Sequence, residues 1–181
     1  MENNLKEIQE FIKQWKERAI KYYTEKITYY YNEYRRKSKQ ICEFHNNKYS
    51  IMRERNLSEE QYREEYKQLE DDKHNFEQEM REEITQKFAQ DVYWYGLDEC
   101  LNRMIKTIEK DAVIKEQQLI KRVNKEVGTI EKAITLKVGV NGELNGLIQG
   151  ENGKCKIETI YAGGYNIQCL HYRVLIHKVI A

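Results

Sequence analysis

Proline is absent from all 181 residues. Average usage of about 5% would supply roughly nine. Its absence excludes Pro-rich linkers and collagen-like sequence and argues against loop-rich folds. Glycine is nearly missing from the first 127 residues, where Gly96 stands alone; the other eight lie between 128 and 181. The four cysteines, Cys42, Cys100, Cys155 and Cys169, include no CxxC pair, so the strong zinc and dithiol patterns are excluded. No apolar run approaches the roughly 18–20 residues that cross a bilayer. The N-terminal MENNLKEIQEF carries no basic-then-apolar signal segment. The expectation is a cytoplasmic protein with free thiols and no membrane contact. Excess charge is lacking too: 31 Lys+Arg face 30 Asp+Glu, net +1. The chain is therefore not a polycation that coats nucleic acid. G-x-x-x-x-G-K-[ST], H-E-x-x-H and G-x-S-x-G are all missing. Neither an enzyme nor a bound cofactor is expected.

What is present is charge and narrow apolar seams. Charged residues make up 34%, hydrophobic ones 40%, and mean hydropathy is −0.90. Leu5, Ile8, Ile12, Trp15, Ala19 and Tyr22 recur at steps of three and four, as in a coiled coil. The seam then shifts to Tyr23, Ile27, Tyr30 and Tyr34 and resumes at Ile41 and Phe44, the drift of a straight helix. This helix runs to about residue 54 or weakens at Asn46–Asn47. NLSEEQY, residues 56–62, signals a helix start: Ser58 caps and Gln61 returns the bond. A chain reversal is expected there. The second seam is Tyr62, Tyr66, Leu69, Phe76, Met80, Ile84 and Phe88. VYWYG, residues 92–96, interrupts it. A third seam runs from Leu97 to Val127, with Gly128 as terminator. Residues 1–55 carry 13 cations and 8 carboxylates, whereas residues 57–99 carry 5 and 14. Antiparallel neighbours of opposite charge reinforce one another's register.

Residues 134–179 alternate apolar and polar positions. Asn141–Gly142 suits a type I′ hairpin turn, and further turns are read at Glu151–Asn152–Gly153 and Ala162–Gly163–Gly164. Leu136, Val138, Tyr172, Val174 and Ile176 are expected on one buried face. The fold class is α+β: an elongated antiparallel helical hairpin or three-helix array over residues 1–130, then a small antiparallel β-meander packed on helix. The residue 5–22 seam looks longer than a folded-back helix could cover, so a homodimer through it is expected.

YYYNEYRRKSK, residues 29–39, is the most unusual segment. Tyr30, Tyr31 and Tyr34 with Arg35, Arg36, Lys37 and Lys39 combine flat stacking surfaces with phosphate-binding cations. The same residue types dominate protein hot spots, and a solvated helix face would also look like this. His171, Arg173 and His177 alternate on the last strand and form a secondary candidate surface. The acidic run Glu59, Glu60, Glu64, Glu65, Glu70, Asp71 and Asp72 either complements the first helix or imitates a phosphate backbone. Cys42 with His45, and Cys155 with Cys169 and His171, are the only approaches to ligand pairs.

One segment carries a resemblance. ETIYAGGYNIQCLHYRVLIHKV, residues 158–179, resembles a short module of small phage and plasmid proteins, through AGGYNIQ (162–168) and HYRVL (171–175). Some small proteins of this style are anti-CRISPR proteins. The resemblance extends over roughly residues 135–179, about a quarter of the chain, and brings no catalytic motif. It implies a mobile-element protein that inhibits a host nucleic-acid-targeting defence by contacting an effector protein or ribonucleoprotein, its RNA, or both. The alternatives are a coiled-coil structural or assembly protein and an RNA- or DNA-binding accessory protein.

Overall fold

The computed structural model describes residues 6–138, 144–161 and 172–179. Five helices come first: α1 (Lys6–Asn46), α2 (Lys48–Glu54), α3 (Glu59–Glu83), α4 (Gln86–Trp94) and α5 (Leu97–Val127). Four strands follow: β1 (Ile130–Val138), β2 (Leu144–Gly150), β3 (Gly153–Tyr161) and β4 (Tyr172–Val179). They pair antiparallel in the order β1-β2-β3-β4. The chain is α+β, as its glycine distribution implies.

The helix boundaries have local causes. Asn47 leaves helical geometry at ψ 18°, yet its N–H still reaches the Glu43 carbonyl at 3.0 Å. The break between α1 and α2 therefore leaves the hydrogen-bond ladder almost complete. The reversal that follows is doubly specified. Asn56 takes the left-handed conformation (φ 54°), and the Leu57 N–H bonds the Met52 carbonyl at 2.9 Å. This is a Schellman stop with asparagine in place of glycine. Immediately afterwards the Ser58 hydroxyl accepts from the Gln61 N–H at 3.2 Å, and the Gln61 side chain accepts from the Ser58 N–H at 2.9 Å. That capping box starts α3.

The second seam does not continue unbroken to Phe88. Ile84 and Thr85 are extended, at ψ 153° and 148°. They are β-branched, a class with lowered helix propensity, and Ile84 is itself buried. The same seam thus serves two helices. A further break falls at Tyr95–Gly96, where the VYWYG cluster stands.

Two compact units emerge, and they do not follow the composition boundary near residue 130. One comprises residues 23–104; the other joins residues 1–22 with 105–181. In the latter, Ile8, Ile12, Trp15 and Ala19 of α1 are all buried. They meet α5 within the chain: the Lys115 ammonium lies 4.9 Å from the Trp15 ring centroid, and Gln9 bonds Glu116. The exposed stripe that suggested a dimer through this seam is therefore covered intramolecularly.

The sheet belongs to the same unit. Gly128 ends α5 with φ 73° and sends its N–H to the Asn124 carbonyl. The Val127 carbonyl accepts from Asn152 N–H in the β2–β3 turn at 2.8 Å. Gly150 is pressed so close to α5 that a Cβ would lie 2.4 Å from the Val127 oxygen. Arg122 of α5 donates to the Val174 carbonyl of β4 at 2.8 Å. The sheet core is Leu144, Ile148, Cys155 and Ile157, each fully buried. These sit on the central strands, and the register Ile148↔Cys155 and Ile157↔Ile176 keeps them on one face. Leu136, Val174 and Ile176 share that face but are only half-buried, because β1 and β4 are the sheet edges. The side chains of Val138 and Tyr172, and the turns at Asn141–Gly142 and Ala162–Gly164, lie outside the described residues.

Candidate binding surface

In the unit of residues 23–104, α1 and α3 run antiparallel. Lys26 pairs with Glu83 at 2.8 Å, Lys48 with Glu59 at 2.7 Å, and Arg55 with Glu65 through two bonds of 2.7 and 2.8 Å. These pairs realise the charge complementarity of the two helices. Aromatic rings fill the levels between: Tyr23 on Phe88, Tyr30 on Phe76, and Phe44 stacked on Tyr62 at 4.9 Å and 7°.

This packing splits the residue 29–39 segment. Tyr30 is buried at 5% exposure, and Tyr34 stands edge-on to Tyr93 at 4.9 Å with the Lys73 ammonium over its other side. Both rings belong to the interior of the hairpin. Tyr31 is half-buried. Lys37 is drawn inward over the Phe76 ring at 5.6 Å. Arg36 folds onto Glu33 at 2.9 Å, which holds the Glu33 carboxyl below its usual range. Lys39 approaches Glu43 at 3.5 Å. Arg35 is exposed, as is Tyr29. The solvent face of the segment is thus Tyr29, Arg35, Arg36 and Lys39, with Tyr30 and Tyr34 turned to the core.

Several contacts tie the two helices together at the distal end of the hairpin. Tyr62 is 3% exposed and donates its hydroxyl to the Phe44 carbonyl at 3.2 Å. Lys48 lies over the Tyr62 ring at 5.1 Å while bonding Glu59. That hydrogen bond raises the Lys48 pKa and lowers that of Glu59. Burial raises the pKa of the Tyr62 phenol. From this braced tip Tyr49 projects at 83% exposure. Nothing in its periodicity marks it; only its place one helix turn past the Asn46–Asn47 break hinted that it lies off the seam.

A second exposed aromatic group lies at the α4–α5 corner. Trp94 is 76% exposed and Tyr95 40%. Arg103 stacks on the Tyr95 ring at 3.6 Å and is held by Glu99 at 2.8 Å. Below it Cys100 is buried, with its thiol pushed up to about 11 by burial and by neighbouring Asp91. Tyr93 is pushed well above the usual phenol range by burial and by Glu77. The aromatic run VYWYG was legible as an interruption; which rings face solvent depends on the chain reversal itself.

The acidic run divides likewise. Glu59 and Glu65 are consumed by Lys48 and Arg55, whereas Glu60, Glu64, Glu70, Asp71 and Asp72 are exposed. His177 of the secondary surface is exposed on β4 beside Lys156, which pairs with Glu158. The side chain of Arg173 and all of His171 and Cys169 lie outside the described residues. Cys155 is buried, and burial raises its thiol pKa. Cys42 is exposed, while the His45 ring packs on Tyr66 at 5.5 Å. Among the described residues no three His, Cys, Asp or Glu side chains are placed to hold a metal, and no helix is long and apolar enough to cross a membrane.

Comparison of the chain with protein-family models, curated proteins and solved structures gives no match.

Proposed function

We propose that this chain is a non-enzymatic binding protein whose working part is the α1–α3 hairpin arm. On the resemblance of its last strands to a mobile-element module, its role is to block a host nucleic-acid-targeting system. The observation that carries the binding part is the braced tip. A capping box, a Schellman stop, two cross-helix ion pairs and a stacked ring pair fix an element that contributes little to the protein's core. Such fixing lowers the entropy lost on association. Tyrosine and arginine are the side chains that most often dominate protein contacts, and the arm offers Tyr49, Arg35 and Arg36 to solvent. With Tyr30 and Tyr34 committed to the core, the stacking platform for bases is reduced and a protein surface is the better-matched target.

The test is plasmid interference in bacteria carrying defined, active CRISPR systems. Expression of the chain should restore transformation by a targeted plasmid in one of these systems and leave an untargeted plasmid unaffected. Targeted plasmids excluded equally with and without the chain, across the panel, would overturn the defence role.

A further inference from the structure

The near-equality of 31 Lys+Arg and 30 Asp+Glu conceals an uneven distribution. Helix α3 holds four Lys and Arg against eleven Asp and Glu. The strands hold the reverse: Lys132, Lys137, Lys154, Lys156, Arg173 and Lys178 against Glu131 and Glu158.

Strand register sorts these charges by face, because residues directly opposite one another lie on the same side of a sheet. One side is the buried face of Ile148, Cys155, Ile157 and Ile176. Two rows cross the other side. The first runs Lys132, Gln149, Lys154 and Val179; the second runs Thr135, Leu147, Lys156 and His177. Lys137 extends the patch along β1, opposite Asn145. Lys132, Lys137, Lys154, Lys156 and His177 are all exposed. Among the described residues Glu158 is the only carboxylate that the register places on this side, opposite Leu175, and it pairs with Lys156. Glu131 falls in a register shift of β1. Lys132, Lys137 and Lys154 make no ion pair or hydrogen bond among the described residues. The open side of the sheet therefore carries a surplus of positive charge that the chain does not itself neutralise.

The chemistry of this patch selects its occupant. Side chains two apart on one strand, as Lys154 and Lys156 are, stand about 7 Å from each other, and those two strands apart, as Lys132 and Lys154 are, about 10 Å. At such spacings several phosphates of one backbone can be met at once. The described side chains of the patch include no aromatic ring and no guanidinium. Protein interfaces are enriched in both and depleted of lysine, and single strands are held by rings on which bases stack. Lysine binds phosphate as a point charge. Thr135 and Asn145, both exposed, add polar groups of the kind that contact phosphate oxygens.

We propose that the open side of the sheet binds the phosphodiester backbone of a nucleic-acid duplex, through Lys132, Lys137 and Lys154 with Lys156 beside them. The contact is independent of base sequence. It goes beyond the protein contact proposed for the arm and uses a surface in the other compact unit.

The test uses the full chain with labelled 20-base-pair RNA and DNA duplexes of arbitrary sequence, read by fluorescence anisotropy. Both duplexes should bind, with dissociation constants of about 1–100 μM, the range of sequence-independent binding. Three phosphate contacts give a salt slope of about −2.7, so affinity should fall roughly fortyfold between 50 and 200 mM salt. Lys132→Gln/Lys137→Gln/Lys154→Gln should weaken both duplexes by tenfold or more and remove most of that slope. Lys132→Arg/Lys137→Arg/Lys154→Arg keeps the charge and should bind like the parent, which separates loss of the contact from loss of the fold. The proposal is overturned if neither duplex binds at 50 mM salt, if the glutamine variant binds like the parent, or if the arginine variant is as weak as the glutamine one. Loss of duplex binding in Arg35→Gln/Arg36→Gln, with the glutamine variant of the sheet unaffected, would move the nucleic acid to α1. Tighter binding of an oligothymidylate than of either duplex would overturn the assignment to a double strand.

Discussion

Replacing Tyr62 with alanine should release the hairpin arm without unfolding the sheet. Tyr62 is 3% exposed, stacks on Phe44, underlies Lys48 and donates to the Phe44 carbonyl. Around it the apolar side chains of the arm are only half-buried, so no neighbouring core can absorb the loss. Truncating a buried aromatic residue costs about 3–5 kcal/mol. The lower figure suits a two-helix arm, where water can fill the gap. About 3 kcal/mol corresponds to roughly a hundredfold change in an opening equilibrium. Hydrogen exchange read by mass spectrometry should therefore show protection across residues 38–72 falling by about that factor. Peptides covering β2 and β3 belong to the other compact unit and should exchange as before, because stability is distributed in local units. Tyr62→Phe keeps the ring and loses only the hydroxyl bond, at about 1 kcal/mol and roughly a fivefold change. Unchanged exchange in the arm of Tyr62→Ala would refute the claim that this residue anchors it. Equal loss of protection in β2 and β3 would refute the arm's independence.

Three further outcomes are expected. Gly150→Val places a Cβ 2.4 Å from the Val127 carbonyl oxygen, an overlap that should cost about 3 kcal/mol and lower the melting temperature by roughly 6–12 °C; an unchanged melt would contradict the close approach of β2 to α5. Iodoacetamide at neutral pH should modify exposed Cys42 rapidly and leave Cys100 and Cys155 unmodified until denaturant is added, because burial raises both of their thiol pKa values; early labelling of Cys100 would contradict the α4–α5 packing. The Lys48 bond lowers the Glu59 pKa, so its contribution is present above the ordinary carboxylate pKa and is lost as pH falls through the lowered one. The advantage of the parent over Glu59→Gln in arm protection should then shrink in acid, and a difference independent of pH would contradict the pairing.

Much of this architecture was legible because its signals are local. Ser58 and Gln61 announce α3 within four residues, and the concentration of glycine after residue 127 marks the change from helix to sheet. The break at Ile84–Thr85 was not legible, since the apolar spacing runs straight through it, two β-branched residues are a weak stop signal, and the α1 rings that meet α4, Tyr23 on Phe88 and Tyr34 on Tyr93, are distant in sequence. Nor was the inward placement of Tyr30 and Tyr34, because a run of consecutive tyrosines points around the helix in every direction and the partner rings, Phe76 and Tyr93, are distant in sequence. The half-burial of Val174 and Ile176 follows from strand order, which alternation alone leaves open. The candidate surface shows the same division. Its cations were visible as a cluster, whereas Tyr49 and Trp94 become prominent only once the helix ends are placed.

The most direct measurement of the central claim is co-purification of the tagged full chain with the effector of a CRISPR system that it protects against, before and after nuclease treatment. The effector protein should be retained in near-stoichiometric amount, and its retention should survive nuclease. Absence of any effector protein on the chain, or retention that vanishes once nucleic acid is digested, would contradict that claim.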